Sequence, residues 1–249
     1  MNGTSQALAW YRSIGVTAVV ADVVATLEEY RPFAATFPPA PQVEPEIALE
    51  NLEALRTRIQ DFDRCALKNT AMNLVFGDGD PAASIMFVGE APGAEEDIQG
   101  IPFVGPSGRL LNKMLAAIGL TRAEVYVTNI LPWRPPGNRA PTDQEVALCT
   151  PFIKAHIALV KPKILVLLGG VATKTLTGET AGILRLRGKW LEYSCTSGAR
   201  IPALPTLHPL FLLHQPLKKR EAWADLKMLR LKYLTVLQSN NNGGSHDQP

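Results

Sequence analysis

Four short apolar runs, at residues 85–88, 125–129, 164–168 and 202–207, constrain the fold of this chain most. Segments with helical spacing separate them at 107–118, 142–160 and 171–176, and another closes the series at 221–233. Each crossover helix returns the chain to the same end of a sheet, so alternation of this kind builds parallel strands. The expected fold class is α/β, a three-layer α/β/α arrangement around a central four-stranded parallel sheet. Thr142 and Glu145 stand three residues apart ahead of an apolar stretch, a capping-box signature for a helix start.

A parallel sheet sends all its carboxyl ends in one direction, and ligand sites form there. Three run ends carry chemistry: Gly89-Glu90-Ala91-Pro92-Gly93, Thr128-Asn129-Ile130 and Leu207-His208-Pro209. Taken singly, a turn Glu is usually solvated, an Asn after a strand is a turn residue, and a lone His is packed or on the surface. Their coincidence at one sheet edge favours a site. Glu95, Glu96 and Asp97 follow the first turn closely.

The other bounds are looser. At 249 residues the chain suits one domain with extensions. Residues 1–45 read as an N-terminal helical extension (5–31) with a proline-rich linker holding five prolines from 32 to 45. Residues 46–236 form the main domain, opening with a helix over 47–65 that places Leu52, Leu55, Ile59 and Phe62 on one face. The polar residues 237–249 read as a disordered tail. Hydrophobic residues make up 46% and mean hydropathy is +0.03, as in soluble globular proteins. No apolar run approaches the roughly 18 residues of a membrane span, and the first residues lack a basic secretory signature. Three widely spaced cysteines point to a reducing cytoplasm rather than a disulfide framework. Charge is uneven: residues 1–100 hold 6 basic and 15 acidic side chains, and residues 101–249 hold 19 and 8. Basic clusters neutralise phosphates, although charge alone favours a solvated surface.

An ordered set of segments then narrows the reading. It comprises Val75-Phe76-Gly77, Gly89-Glu90-Ala91-Pro92-Gly93, Glu96-Asp97, Gly100-Ile101-Pro102-Phe103-Val104-Gly105, Thr128-Asn129-Ile130, Arg134-Pro135-Pro136, Asn138-Arg139-Ala140-Pro141, Arg187-Gly188-Lys189-Trp190 and His208-Pro209. In this order and spacing the sequence resembles family 4 of the uracil-DNA glycosylase superfamily over about residues 60–235. The resemblance implies a monofunctional enzyme that hydrolyses the N-glycosidic bond of deoxyuridine in DNA and starts base-excision repair. It implies His208 as donor to uracil O2, Asn129 as partner of the base edge, and Phe103 as stacking platform. Backbone amides at Ala91 and Gly93 would bind the base. Glu90 would orient or activate water, with Glu96 and Asp97 as alternatives and Glu96 otherwise a wall of the pocket. DNA contacts would come from Ser107 at a helix start, an apolar wedge at Leu210 and Phe211, and the cations Lys218, Lys219 and Arg220. The partner implied is uracil-containing DNA, single- or double-stranded, met by a monomer with no membrane attachment. A uracil- or damage-binding module of the same fold without turnover is the alternative.

The resemblance also implies a four-cysteine iron–sulfur cluster, and here this sequence departs from it. Cys65 and Cys149 stand in two ligand slots, but Phe62 and Trp133 stand in the other two. Phe and Trp do not ligate iron, and two thiolates do not reproduce a four-thiolate site. The expectation is no cofactor, with the two aromatic rings filling the vacated volume.

Overall fold

The computed structural model describes residues 50–242; the expected N-terminal helix at 5–31, the linker and residues 243–249 lie outside them. Six strands form one sheet: β1 (Asp78–Gly79), β2 (Ile85–Gly89), β3 (Tyr126–Asn129), β4 (Ile164–Leu168), β5 (Leu191–Ser194) and β6 (Arg200–Thr206), in the order β1-β3-β2-β4-β6-β5. β3, β2, β4 and β6 run parallel, as the alternating pattern requires. β1 and β5 are antiparallel edge strands, so the sheet is mixed and has six strands rather than the expected four. Neither edge has a sequence signal that stands out: β1 is two residues long, and β5 buries only Tyr193.

β2 and β4 are buried at every position because helices cover both faces of the sheet. Side chains alternate along a strand, so each run feeds two cores. Met86, Val88, Leu165 and Leu167 join one cluster with Leu55 and Ile59 of α1 (Leu52–Asp61) and Phe152, Ile153 and Ile157 of α4 (Asp143–Val160). Ile85, Phe87, Ile164, Val166 and Leu168 join the other. There they meet Leu111 and Leu115 of α3 (Pro106–Ala117) and Leu226 and Leu229 of α8 (Lys219–Asn242). The three layers follow directly from this division.

Shorter helices shape the carboxyl edge: α2 (Ala94–Gln99), α5 (Gly170–Thr177), α6 (Ile183–Leu186) and α7 (Pro209–His214). The chain passes from β2 to β3 on one side and from β4 to β6 on the other. Loops leaving the two central strands therefore diverge and open a crevice at their carboxyl ends. α8 continues to Asn242, past the start of the tail expected from residue 237. Among the described residues no helix is long and apolar enough to cross a membrane.

His156 on α4 sits in the first core at 3% exposure. Its Nε2 meets the Tyr126 hydroxyl at 2.8 Å, and Phe76 stacks on its ring with centroids 4.4 Å apart. Burial pushes its pKa down to about 3, so the folded protein keeps it neutral where the unfolded chain takes a proton. Stability from this group is complete above the ordinary value of about 6.5. It falls as pH drops from there toward 3. Urea unfolding at pH 7.5 and 4.5 should show a lower midpoint in acid, and His156→Gln should flatten the difference; an unchanged difference in the variant removes His156 as its source.

Candidate active site

A cleft of about 580 Å³ opens at the carboxyl ends of the parallel strands. Glu90, Asn129 and His208 all line it, after β2, at the end of β3 and after β6. The ladder between β2 and β3 runs on past the strands, with Ile130 and Leu131 N–H groups donating to the carbonyls of Gly89 and Glu90 at 2.9 and 3.0 Å. The Glu90 backbone is thereby fixed at the cleft floor. Its carboxyl is half-buried, and loss of solvent pushes its pKa above the ordinary value.

Asn129 is 6% exposed, and its Oδ1 is buried without a hydrogen-bond partner. A buried acceptor is normally satisfied, so an orphan at a cleft wall marks a place for a ligand donor. Gly89 lies directly across from Asn129 in the β2–β3 register. A Cβ on Gly89 would stand 2.4 Å from Asn129 Oδ1 and 2.5 Å from Phe103 Cζ. The missing side chain is what lets amide and ring close on one spot. Phe103 is 5% exposed and has φ +55°, a left-handed conformation that costs a bulky residue on the order of 1–3 kcal/mol. Gly108 makes room for it, since a Cβ there would lie 1.6 Å from the Phe103 carbonyl oxygen. The Phe103 ring is 5.8 Å from the His208 ring, centroid to centroid.

His208 caps α7: its Nδ1 accepts the Leu210 N–H at 3.1 Å. That bond assigns the proton of the neutral ring to Nε2, leaving a single donor. Burial pulls the His208 pKa down to about 4, which keeps the ring neutral at physiological pH.

Glu96 lines the cleft with both oxygens engaged, Oε2 by the Gly93 N–H at 3.1 Å and Oε1 by the Gly105 N–H at 2.8 Å. It ties the loop after β2 to the loop before α3. Gly93 thus has its N–H directed at Glu96, while Ala91 lines the cleft beside it. Asp97 is 2% exposed and accepts from the Met72 and Asn73 N–H groups, so it fastens a loop outside the cleft.

The rims come from two segments. Ser107 in the first turn of α3 lines one part. On α7, Leu210 and Phe211 line the cleft at 49% and 37% exposure, while Leu212 is buried beneath them. Lys218, Lys219 and Arg220 lie beyond the lining, and Lys218 pairs with Glu221 at 2.6 Å.

Residues 76–227 match the family model described as the uracil DNA glycosylase superfamily. The chain belongs to this superfamily. It is 38% identical to the type-4 uracil-DNA glycosylase of Archaeoglobus fulgidus over 185 residues, 73% of this chain and 92% of the relative. The type-4 uracil-DNA glycosylase of Sulfurisphaera tokodaii is 38% identical over 73% of this chain and 84% of its own. That of Thermotoga maritima is 38% identical over 66% and 84%.

The sequence alone gave no site role to Pro135, Asn138, Arg139 or His214, all of which line the cleft. A signal existed for each. His214 is four residues beyond Leu210 on α7 and so shares its helix face. The Arg134–Pro141 stretch is one of the motifs of the resemblance, and its geometry is set by Arg139, whose guanidinium forks Glu145 at 2.6 and 2.8 Å. Arg139 first, then Thr142, holds the Glu145 carboxyl down to about 2.

Away from the cleft, Cys65 and Cys149 are fully buried free thiols that interact with one another. The Cys149 proton directed at the Cys65 sulfur pulls Cys65 down to about 7 and holds Cys149 well above its ordinary value. Phe62 and Trp133 pack in the same core, and Phe62 meets Phe152 edge-to-face at 4.9 Å. Among the described residues no three His, Cys, Asp or Glu side chains gather as a metal site. Two thiols walled by aromatic rings do not fit a four-thiolate cluster.

Gly89→Ala should destabilise the protein by about 1–3 kcal/mol in urea unfolding, because Asn129 and Phe103 must give way. Gly182→Ala is the control: it has open space around it and a φ of −63°, and should change stability by less than about 0.5 kcal/mol. Equal effects at both positions would contradict the close approach at Gly89.

Proposed function

We propose that the cleft at Glu90, Asn129 and His208 is where this uracil-DNA glycosylase breaks the N-glycosidic bond of deoxyuridine in DNA, leaving free uracil and an abasic site. The observation that carries the site is the orphaned Asn129 Oδ1, a buried acceptor awaiting a donor. Uracil supplies one at N3–H, and the Asn129 amide donates in turn to O4. Cytosine presents the opposite pattern at those two atoms. The base reaches the pocket only by leaving its stack, and Phe103 offers a face on which to seat it. Exposed Leu210 and Phe211 at the rim suit insertion into the gap left behind.

The bond electrons depart with uracil N1, and negative charge spreads onto O2. The neutral His208 directs its Nε2 proton at that oxygen, an oxyanion-type stabilisation. The sugar becomes oxocarbenium-like. Glu90, ionised, orients a water toward C1′ and takes its proton as the new C–O bond forms. Glu96, with both oxygens on backbone amides, holds the two loops in place in this scheme. Ser107 and the cations Lys218, Lys219 and Arg220 serve the DNA backbone, together with Arg139 in the cleft lining. The working unit is a monomer, since one chain supplies the cleft, and its partner is uracil-containing DNA, single- or double-stranded. Three free cysteines suit the cytoplasm.

No cofactor takes part: in this reading the aromatic plug at Phe62 and Trp133 replaces the cluster. Anaerobically purified protein should contain no stoichiometric iron and no thiolate-to-iron absorption band. One cluster per chain would overturn that reading.

On a uracil-containing oligonucleotide, His208→Ala and Asn129→Ala should each slow base release by roughly 10²–10³-fold under single-turnover conditions. Glu90 works only when ionised, and burial raises its pKa, so the rate should fall with acid through a midpoint above the ordinary carboxyl value. Glu90→Gln should lower the rate and erase that limb. Full activity in both alanine variants would refute the site.

A further inference from the structure

Behind His208 lies a buried polar cluster that the proposed chemistry does not use. Asp225 on α8 is 1% exposed. Its Oδ2 accepts from Thr206 Oγ1 at 2.7 Å and from Arg187 Nε at 3.0 Å. Arg187 Nη2 reaches the other carboxylate oxygen, Oδ1, and also donates to the Glu221 carbonyl. The turn after Arg187 is fitted to this cluster. Gly188 has φ +71°, a Cβ there would stand 2.6 Å from Asp225 Oδ1, and its N–H donates to the Pro205 carbonyl at 3.0 Å. Arg187 and Gly188 thus fasten the end of β6 to α8.

The fastened residue, Thr206, is the last of β6 and stands two positions before His208. Its carbonyl accepts the Gly169 N–H at 2.9 Å, which joins it to the end of β4 as well. Gly169 in turn leaves the chain close to the histidine, since a Cβ on it would lie 3.3 Å from His208 Cβ. Two residues beyond His208, the Leu210 N–H holds Nδ1. The imidazole is therefore held between one anchor before it and another after it.

Stability is a weak reason for such a cluster. Apolar residues of similar volume often replace a buried ion pair at no loss, whereas a fixed carboxylate defines a position. We propose that Arg187, Asp225 and Thr206 are positioning residues that set the depth and direction of His208 for base release. The proposal rests on the reading of His208 as the donor to the leaving base. Removing the Thr206 hydroxyl cuts the tie to Asp225 ahead of His208, while the Arg187–Asp225 pair and the Gly169 bond stay in place. Small displacements of a catalytic group cost rate more than binding.

The test is a double-mutant cycle on single-turnover uracil release with wild type, Thr206→Val, His208→Ala and the double variant. Thr206→Val should slow release by roughly 10-fold or more, with DNA affinity unchanged within about 2-fold. Thr206→Ser should restore the rate. In the His208→Ala background, Thr206→Val should change the rate by less than about 2-fold, because there is no imidazole left to place. Equal slowing in both backgrounds, or none in wild type, overturns the proposal. A His208→Ala protein at full rate instead overturns the reading on which it rests, and so marks that failure separately. Thermal melts confirm that each variant folds. If Thr206→Val does not fold, Arg187→Lys, which keeps the charge but not the fork, goes through the same cycle under the same criteria.

Discussion

The absence of a side chain at Gly89 is the constraint on which the cleft depends. Gly89 ends a strand buried at every position and stands opposite Asn129 in a parallel pair. Both the Asn129 amide and the Phe103 ring occupy the space a Cβ would take. One omitted methyl therefore brings a hydrogen-bonding edge and an aromatic face to the same point. The backbone continues from there into Glu90, so the residue proposed to handle water starts from the same fixed floor. Sheet register, fixed by the hydrophobic runs far from the cleft, sets the spacing of all three.

Several features around this point are unfavourable on their own. Phe103 sits in a left-handed conformation, Asn129 keeps a buried acceptor unpaired, and His208 gives up solvent. Strain and unsatisfied groups persist where the surrounding structure over-determines them. Here the surroundings are identifiable. Glu96 clasps Gly93 and Gly105 on either side of the Phe103 loop. The capping box of Thr142 and Glu145 steadies the Asn138–Arg139 rim through the Arg139 fork. These bonds are made to backbone or to charged partners, and they hold loops rather than cores. Rigidity at the cleft thus comes from polar clasps, while the two apolar clusters supply the frame that carries them.

What the sequence made legible follows from the same division. Runs such as Ile164–Leu168 announce themselves because strands covered on both faces are apolar throughout. The carboxyl-end rule then brings Glu90, Asn129 and His208 together without any knowledge of loop shape, and all three do line the cleft. Edge strands escaped because pairing, not composition, creates them: Asp78–Gly79 becomes a strand only against Val127 and Tyr126. The reach of α8 to Asn242 escaped for a similar reason, since its polar end has no apolar stripe to read. Glu96 stood as an alternative to Glu90 because both acids lie near one turn. Only the placement of the Gly93 and Gly105 amides separates them. Arg139 escaped for another reason: its position comes from a side-chain fork on Glu145, and the sequence shows both residues but not the bond between them.

The region around Cys65 and Cys149 shows how packing joins three separate segments. A cluster would tie the segment after α1, the loop after β3 and the body of α4 by metal–thiolate bonds. In this chain the same three segments meet through Phe62, Cys65, Trp133, Cys149 and Phe152 in one apolar cluster. Aromatic burial and edge-to-face contact are non-directional compared with metal ligation, so they hold the segments without dictating a coordination geometry. The loop after β3 leads from Asn129 through Trp133 to the Arg134–Arg139 rim. Packing at Trp133 therefore fixes the stretch between the Asn129 amide and the rim. The demand on this region is a rigid loop root, and the packing of two buried rings meets it.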